Sequence, residues 1–242
     1  HGVEFVATYH DSADDWNWGV TGNFTYAKNK VVYMDEAENT PEWQKQEGYP
    51  IDSQLLYQAL GIYQSQEEIN GSATIDDNVT PGDLQYLDKD GNNVITANDM
   101  IRINRTSTPK IVYGFTLNAG WKGLDFNAFF QGQAMASTLF MPTMNMVQEY
   151  YEGRYVENDP STHATAKYPK ALIKQTYCDT WNGRYSTWWL RNSSFLRLKS
   201  LEIGYTLPKN IVKKANIENL RIYVNGTNLF TIDSFKVADP EV

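Results

Sequence analysis

Long segments in which apolar and polar residues alternate constrain the fold of this chain more than any other feature. From Trp16 to Ala27 the even positions are aromatic or apolar apart from one glycine, and the odd positions are polar or small. The same separation recurs from Ile111 to Lys122. A period of two is the signature of a β-strand with two chemically different faces. The sequence therefore predicts an all-β fold.

Four weaker versions of the pattern bring the number of predicted strands to six. They run over Val3–Tyr9, Leu124–Gly132, Leu196–Leu207 and Leu220–Phe230. In the third of these the apolar phase shifts near Ser200, which predicts a β-bulge. Several of the strands reach about ten residues or more, against about five or six for the commonest strand of globular proteins.

The connections between these strands fall into two classes of length. Short segments join the strands in pairs, namely residues 11–15, the tight Lys122–Gly123 turn and residues 208–219. Two long segments, 28–110 and 134–193, separate the pairs. In an up-and-down meander, successive connections lie at opposite ends of the strands. The short connections therefore lie at one end of the strands and the long connections at the other. Outer-membrane β-barrels have this asymmetry, with short periplasmic turns and long extracellular loops.

A soluble antiparallel β-sandwich is the alternative fold, because its strands alternate as well. Alternation alone favours the sandwich. Strand length, the sorting of the connections and a polar face poor in Lys and Glu favour a barrel with a polar lumen. We therefore expect part of a large antiparallel transmembrane β-barrel with long extracellular loops.

Composition excludes several classes of function. Asp and Glu (29) outnumber Lys and Arg (21), which gives a formal net charge of −8 and no basic stripe for a nucleic-acid backbone. The one cysteine, Cys178, cannot form an internal disulfide, and the three histidines are too scattered for a zinc cluster. Common catalytic motifs are absent from the sequence. We expect neither nucleic-acid binding nor enzymatic activity.

One segment has the spacing of a metal site. Residues 88–99 read Asp-Lys-Asp-Gly-Asn-Asn-Val-Ile-Thr-Ala-Asn-Asp, with oxygen ligands at positions 1, 3, 5, 7 and 12 of an EF-hand-type calcium loop. The expected ligands are the side chains of Asp88, Asp90, Asn92 and Asp99 and the backbone carbonyl of Val94. We expect Ca²⁺ to make this loop rigid. An Asx-rich turn without metal is the alternative.

Three positions of this segment bear on the calcium hypothesis. Position 6 is Asn93 where glycine is usual, and asparagine tolerates a left-handed backbone better than most residues. Ile95 at position 8 is expected to be an apolar plug. Position 12 is Asp99 rather than the longer glutamate, which is similar to dockerin-type loops.

The second long segment is rich in aromatic residues. They are Tyr150, Tyr151, Tyr155, Tyr177, Trp181, Tyr185, Trp188 and Trp189. Aromatic rings can stack on sugars, which makes Tyr150, Tyr151 and Trp181 candidate ligand contacts. Packing within the loop or an interfacial position is the favoured interpretation, and no substrate site is assigned.

Three groups of motifs carry a resemblance to a known family. The first is Asn23–Lys30 and Gly61–Ile69; the second is Pro81–Tyr86, Asp88–Asn92, Tyr113–Phe115 and Phe129–Gly132; the third is Phe195–Pro208, Leu220–Val224 and Asn228–Phe230. In order and spacing they resemble the C-terminal part of the SusC/RagA family, the TonB-dependent outer-membrane transporters of Bacteroidota. The resemblance covers nearly the whole chain.

The resemblance implies a fold, an activity and partners. Residues 1–242 would supply about six strands of a barrel of about 22, with the plug domain and the TonB-contacting segment outside the sequence. Segment 28–110, with the calcium-like loop at 88–99, and segment 134–193 would be extracellular. The whole protein would be a multi-pass outer-membrane barrel, in contact with outer-membrane lipid. It would import glycans or oligosaccharides, or peptides, with a SusD-like surface lipoprotein. A soluble, calcium-stabilised β-sandwich that binds carbohydrate is the alternative.

Both ends of the sequence lie within strand or loop patterns of this family. His1 leads directly into a strand pattern, and the chain stops at Val242, where the family continues to a further strand. We therefore expect the sequence to be an internal piece of a longer protein.

Overall fold

The computed structural model describes residues 1–76, 78–140, 148–171, 181–236 and 238–241. Tyr177 and Cys178, named above, lie outside the described residues. The chain divides into two compact units. The first contains residues 1–28, 107–136 and 192–242, and the second contains residues 29–106 and 137–191.

The described residues contain twelve strands and a few short helices. The strands are β1 (Gly2–Ala13), β2 (Trp16–Ala27), β3 (Gln54–Tyr57), β4 (Ala59–Ile62), β5 (Leu84–Tyr86), β6 (Met100–Ile103), β7 (Ile111–Trp121), β8 (Leu124–Ala134), β9 (Ser137–Leu139), β10 (Leu190–Asn192), β11 (Phe195–Thr206) and β12 (Arg221–Asp233). The α-helices are α1 (Gln66–Asn70), α2 (Gln148–Gly153) and α3 (Lys209–Val212). Single 3₁₀ turns occur at Glu42–Gln44, Ala97–Asp99, Pro160–Thr162, Thr187–Trp189 and Lys213–Ala215. None of these helices has the length and apolar content that a membrane-crossing helix needs.

A six-stranded antiparallel sheet forms the first unit, in the order β1–β2–β7–β8–β11–β12. All six strands predicted from the alternation are confirmed, including the bulge, which lies between Leu198 and Ser200. The Lys122–Gly123 turn is also confirmed, with both residues at positive φ as a type I′ hairpin turn requires.

The prediction of a five-residue connection over residues 11–15 was wrong in extent. Strand β1 continues through Ala13, which is paired with Trp16, so only two residues form the turn. The polar side chains of Asp11 and Ser12 suggested a loop, but a polar side chain does not prevent ladder pairing. Asp14 at the turn has a φ of 55°.

The register places side chains of like polarity next to each other across the whole sheet. One row of the apolar face contains Phe5, Phe24, Tyr113, Gly132, Leu196 and Ile232. One row of the polar face contains His10, Gly19, Asn118, Asn127, Glu202 and Asn225. Because successive side chains point to opposite faces, the six alternating patterns add up to one apolar and one polar surface.

The second unit is formed by the two long connections and has a hydrophobic core of its own. Three two-stranded sheets, β3–β6, β4–β5 and β9–β10, frame it. The buried cluster contains Tyr57, Tyr63, Ile69, Ala73, Val79, Leu84, Tyr86, Ile95, Tyr150, Tyr168, Trp181 and Trp189. Residues of both connections contribute, so each connection needs the other to bury its apolar side chains.

A buried polar group also joins the two connections. Asn182, fully buried, accepts a hydrogen bond from the Leu84 N–H (2.8 Å) and donates one to the Asp83 carboxylate (2.9 Å). The Lys170 ammonium lies 3.0 Å from the other Asp83 oxygen. Each member is satisfied by the others, which is the condition under which buried polar groups are tolerated.

One glycine of the sheet is required by a close approach. The Tyr113 ring crosses Gly132, and its hydroxyl donates a hydrogen bond to the Phe195 carbonyl (3.1 Å). A Cβ at Gly132 would lie 2.6 Å from that carbonyl oxygen and would overlap the ring, whereas one at Gly22 would meet no described atom within 4 Å.

We predict that Gly132→Ala destabilises the full-length protein by about 1–3 kcal/mol, because the ring and the backbone must move apart. The matched substitution Gly22→Ala should be neutral or slightly stabilising. Thermal unfolding in detergent, followed by intrinsic fluorescence, measures both. Equal melting temperatures for the two variants would contradict the packing described for Tyr113.

Candidate lipid-facing surface and candidate metal site

The apolar face of the six-stranded sheet remains largely exposed. Side chains from both outer strands and from β2 are open, with Val3 63% exposed, Trp16 53% and Val224 75%. Soluble monomers rarely expose contiguous apolar patches larger than a few hundred Å². A continuous apolar face of six strands therefore indicates a surface that meets another apolar phase.

The height of this face matches a bilayer. The apolar rows extend from the row of Tyr26 to the row of Trp16, ten residue steps along β2. At about 3.3 Å per residue these steps cover about 33 Å along the strand. A strand tilted by about 40° then spans roughly 25 Å, the height of the apolar band of outer-membrane barrels.

Aromatic residues mark the end of this face at the short turns. Trp16 and Trp121 stack with ring centroids 5.4 Å apart. The Lys122 ammonium in the adjoining turn lies 3.1 Å from the Asp15 carboxylate and 5.6 Å from the Trp121 ring centre. Tryptophan beside charged residues is typical of the border between lipid and water.

The opposite face of the sheet is polar, and near the short turns its charged side chains form ion pairs with one another. Arg221 donates from Nε to Asp125 (3.1 Å) and from a terminal nitrogen to Glu202 (2.6 Å). These side chains lie across Gly204, where a Cβ would be 2.6 Å from the Asp125 carboxylate. This face also carries a depression of about 640 Å³, lined by Asn17, Asn118, Asn127, Glu202 and Asn225 among others. Such a surface suits contact with water or with polar protein.

The predicted metal loop brings three of its carboxylates together. Oxygen atoms of Asp88, Asp90 and Asp99 lie within 4.8 Å of one another. Ca²⁺ binds oxygens at 2.3–2.6 Å, so ligands on opposite sides of an ion are about 5 Å apart. The spacing of the three groups therefore fits an ion of this size.

Two residues of the loop have a left-handed backbone, one of them Asn93, which stands where glycine is usual. Asn93 has a φ of 64° and Gly91 one of 75°, both left-handed. The Asp88 carboxylate accepts hydrogen bonds from the N–H groups of Gly91 (2.7 Å) and Asn93 (2.8 Å). Burial acts to raise the pKa of Asp88, but these backbone N–H groups outweigh it and hold that pKa below its usual value. Asp88 is therefore anionic at neutral pH.

The other expected ligands are engaged in part within the loop. The Asn92 amide donates to Asp90 (3.0 Å), and its oxygen accepts from the Val94 N–H (2.8 Å). Ile95 is 1% exposed and belongs to the core of the second unit, which confirms its expected role as an apolar plug.

Asp99 has a structural role that requires no metal. It is fully buried, and its carboxylate accepts hydrogen bonds from the N–H groups of Lys89 (2.7 Å), Asp90 (3.3 Å) and Thr96 (2.7 Å). Most of its acceptor capacity is used in this way. Asp99 thus closes the loop by joining its two ends.

Sequence reasoning missed the residues that hold this loop from outside. The Gln44 side chain donates to the carbonyls of Ala97 (2.7 Å), Asn98 (3.0 Å) and Met100 (2.9 Å), and the Trp43 indole donates to Asn98 (2.8 Å). More than 50 residues separate the partners, and no local pattern announces such contacts.

Most aromatic residues of the second long connection are packed rather than displayed. Tyr150, Tyr155, Trp181 and Trp189 are buried. Of the three candidate ligand contacts, Tyr150 and Trp181 belong to the core, and Tyr151 alone is exposed. The interpretation as loop packing is therefore confirmed for Tyr150 and Trp181.

Comparison with known proteins agrees with this geometry. The chain is 28% identical to TonB-dependent receptor P3 of Formosa agariphila over 99% of its length, and 23% identical to TonB-dependent receptor SusC of Bacteroides thetaiotaomicron over 94%. Its fold matches the structure of the RagAB peptide transporter with a TM-score of 0.70 and 24% identity, over 99% of this chain and 26% of the other. The chain covers 25% of P3 and 22% of SusC, about a quarter of these relatives. No protein-family model matches the sequence.

The fold and its exposed apolar face define part of a large antiparallel transmembrane β-barrel wall. The agreement with P3, SusC and the RagAB structure confirms the resemblance to SusC/RagA-type TonB-dependent transporters.

We predict that Asp99→Ala and Asp90→Ala separate loop closure from metal binding. In a chelator, Asp99→Ala should lower the stability of the second unit by about 2–4 kcal/mol, because three N–H groups lose their acceptor. Asp90 is exposed and accepts hydrogen bonds only from Asn92 among the described residues, so Asp90→Ala should change little. Hydrogen exchange of residues 88–103 in the full-length protein measures the difference. Equal protection in both variants would contradict the role of Asp99.

Proposed function

We propose that this chain is a wall segment of an outer-membrane transporter that takes up nutrients with energy delivered through TonB. The substrate class is glycans or oligosaccharides, or else peptides, and the partner is a SusD-like surface lipoprotein. The observation that carries the proposal is the exposed apolar face, about 25 Å high, on a sheet whose other face is polar.

The edges of the sheet support a larger barrel. Strands β1 and β12 have 12 and 13 residues, are exposed along most of their length and have no partner on their outer side among the described residues. Long unpaired edges promote aggregation, and closure into a barrel removes them. Further strands of the same protein are the natural partners.

The distribution of charge supports an aqueous setting for the long connections. Residues 29–106 and 137–191 carry 19 acidic and 11 basic residues, which gives −8, the formal net charge of the whole chain. The rest of the chain is neutral, with 10 of each. A neutral wall and a charged, separately folded unit suit a protein that lies partly in lipid and partly in water.

The names of the relatives support the transport activity and its dependence on TonB. Two are TonB-dependent receptors, and the RagAB structures are described as a peptide transporter or importer. None of these names denotes an enzyme, in keeping with the absence of catalytic motifs.

The β-sandwich alternative has little support. A sandwich buries one face of each sheet against another sheet. Here the aromatic face of residues 16–26 is open, and the other sheets in the described residues have two strands each.

We predict that the full-length protein fractionates with the outer membrane and dissolves only in detergent. Deleting its gene should abolish growth on one class of oligosaccharide or peptide, and a protonophore should stop uptake of that compound by wild-type cells. The comparison strain carries the intact gene on a plasmid. A full-length protein that remains soluble without detergent, or uptake that survives the protonophore, would contradict the proposal.

We further propose that residues 88–99 bind Ca²⁺ through Asp88, Asp90, Asn92, Asp99 and the Val94 carbonyl. The clustered carboxylates, the left-handed Asn93 and the buried Ile95 support this. Because Ile95 belongs to the core, an ion held by this loop would stabilise the whole second unit.

We predict that Ca²⁺ raises the unfolding temperature of the second unit, since a ligand that binds only the folded state stabilises it. Asp90→Ala should abolish the increase without lowering the starting value. Asp76→Ala, an exposed carboxylate outside the loop, is the matched control and should keep the increase. Equal unfolding temperatures for wild type in Ca²⁺ and in chelator would leave the Asx-rich turn as the correct interpretation.

A further inference from the structure

Three lysines lie close together on the connection between β11 and β12. Lys209 lies in α3, and Lys213 and Lys214 follow in the 3₁₀ turn. All three are exposed, and no ion pair to any of them occurs among the described residues. The segment 207–220 contains one acidic residue, Glu218. The connection therefore carries a local charge of about +2.

Other basic side chains at the short-turn ends of the strands form ion pairs within the protein. Lys122 is paired with Asp15, and Arg221 with Asp125 and Glu202. The three lysines differ from them in lacking such acceptors among the described residues. Their charge is available to a partner.

The connection continues the lipid-facing surface. Tyr205 and Ile222 are paired in the last row of the apolar face, beside Leu124 and Trp121. Directly beyond them the Leu207 N–H donates a hydrogen bond to the Leu220 carbonyl (2.9 Å).

Exposed apolar residues accompany the lysines on this connection. Ile211 is 55% exposed, and Ile217 and Leu220 are also open. Val212 is buried and anchors α3. Lysines mixed with exposed aliphatic residues, next to an apolar band, are typical of a segment at the border between lipid and water.

We propose that Lys209, Lys213 and Lys214 form a binding site for anionic phospholipid headgroups at the short-turn, periplasmic side of the barrel. The inference rests on the proposed function, which supplies the membrane and its orientation. The ammonium groups bind the headgroup phosphates, and the neighbouring aliphatic residues contact the upper part of the acyl chains. Charge complementarity and continuity with the apolar band select a lipid as the partner.

The test uses the full-length protein in detergent and native mass spectrometry. The probes are phosphatidylglycerol and phosphatidylethanolamine with identical acyl chains. Each lysine near an anionic lipid surface strengthens the binding of a protein to that lipid by about fivefold. The triple variant K209Q/K213Q/K214Q should therefore bind phosphatidylglycerol at least tenfold more weakly than the wild type. Its binding of phosphatidylethanolamine, whose phosphate charge is balanced by an ammonium group of the same headgroup, should change much less.

Two further variants make the result specific. K30Q/K167Q/K236Q removes the same number of charges from other exposed lysines and should bind phosphatidylglycerol as the wild type does. K209R/K213R/K214R should retain binding. Thermal unfolding of each variant checks that the fold is intact.

Retained binding in the K209Q/K213Q/K214Q variant, or an equal loss in the K30Q/K167Q/K236Q variant, would overturn the lipid site. A wild-type protein without preference for phosphatidylglycerol would overturn it as well. These failures differ from that of the proposed function, in which the protein would not fractionate with the outer membrane at all.

Discussion

The in-register pairing of six antiparallel strands determines what the rest of this structure can do. Because side chains alternate with a period of two, a slip of one residue in any pair would exchange the two faces of that strand. The β-bulge between Leu198 and Ser200 shows that the sequence follows the register, because the apolar positions of β11 shift by one residue at the point where its pairing shifts. Sequence pattern and hydrogen-bonded ladder therefore specify the same two surfaces.

The two long connections are ordered because they fold together around a shared core. A loop of about 80 residues without structure of its own would be unusual in a compact protein. Here the two connections share one core, in which Tyr150 and Trp181 of one pack with Ile95 of the other, and they share the buried Asp83–Asn182 pair. The loop of residues 88–99 is joined to this core through Ile95, while Asp99 joins the two ends of the loop.

The sequence predicted the parts of this structure that depend on local pattern. Two long strands over residues 16–27 and 111–122 and the tight turn at Lys122 follow from residue type and spacing alone. Strands β3 to β6 were not predicted, because each has only three or four residues, too few for a period of two to be recognised. The hydrogen bonds of Gln44 to Ala97 and of Asn182 to Asp83 were not predicted, because each joins residues that are distant in sequence.

In the full-length protein we expect one face of the sheet to meet lipid and the other to meet water or protein. Spin labels placed one at a time on Val20, Thr21, Gly22, Asn23 and Phe24 of the full-length protein, with Cys178 replaced by serine, test it in lipid bilayers. Accessibility to oxygen, which is concentrated in lipid, should be high at positions 20, 22 and 24 and low at 21 and 23. Accessibility without this alternation, or high values on the polar face, would contradict the account.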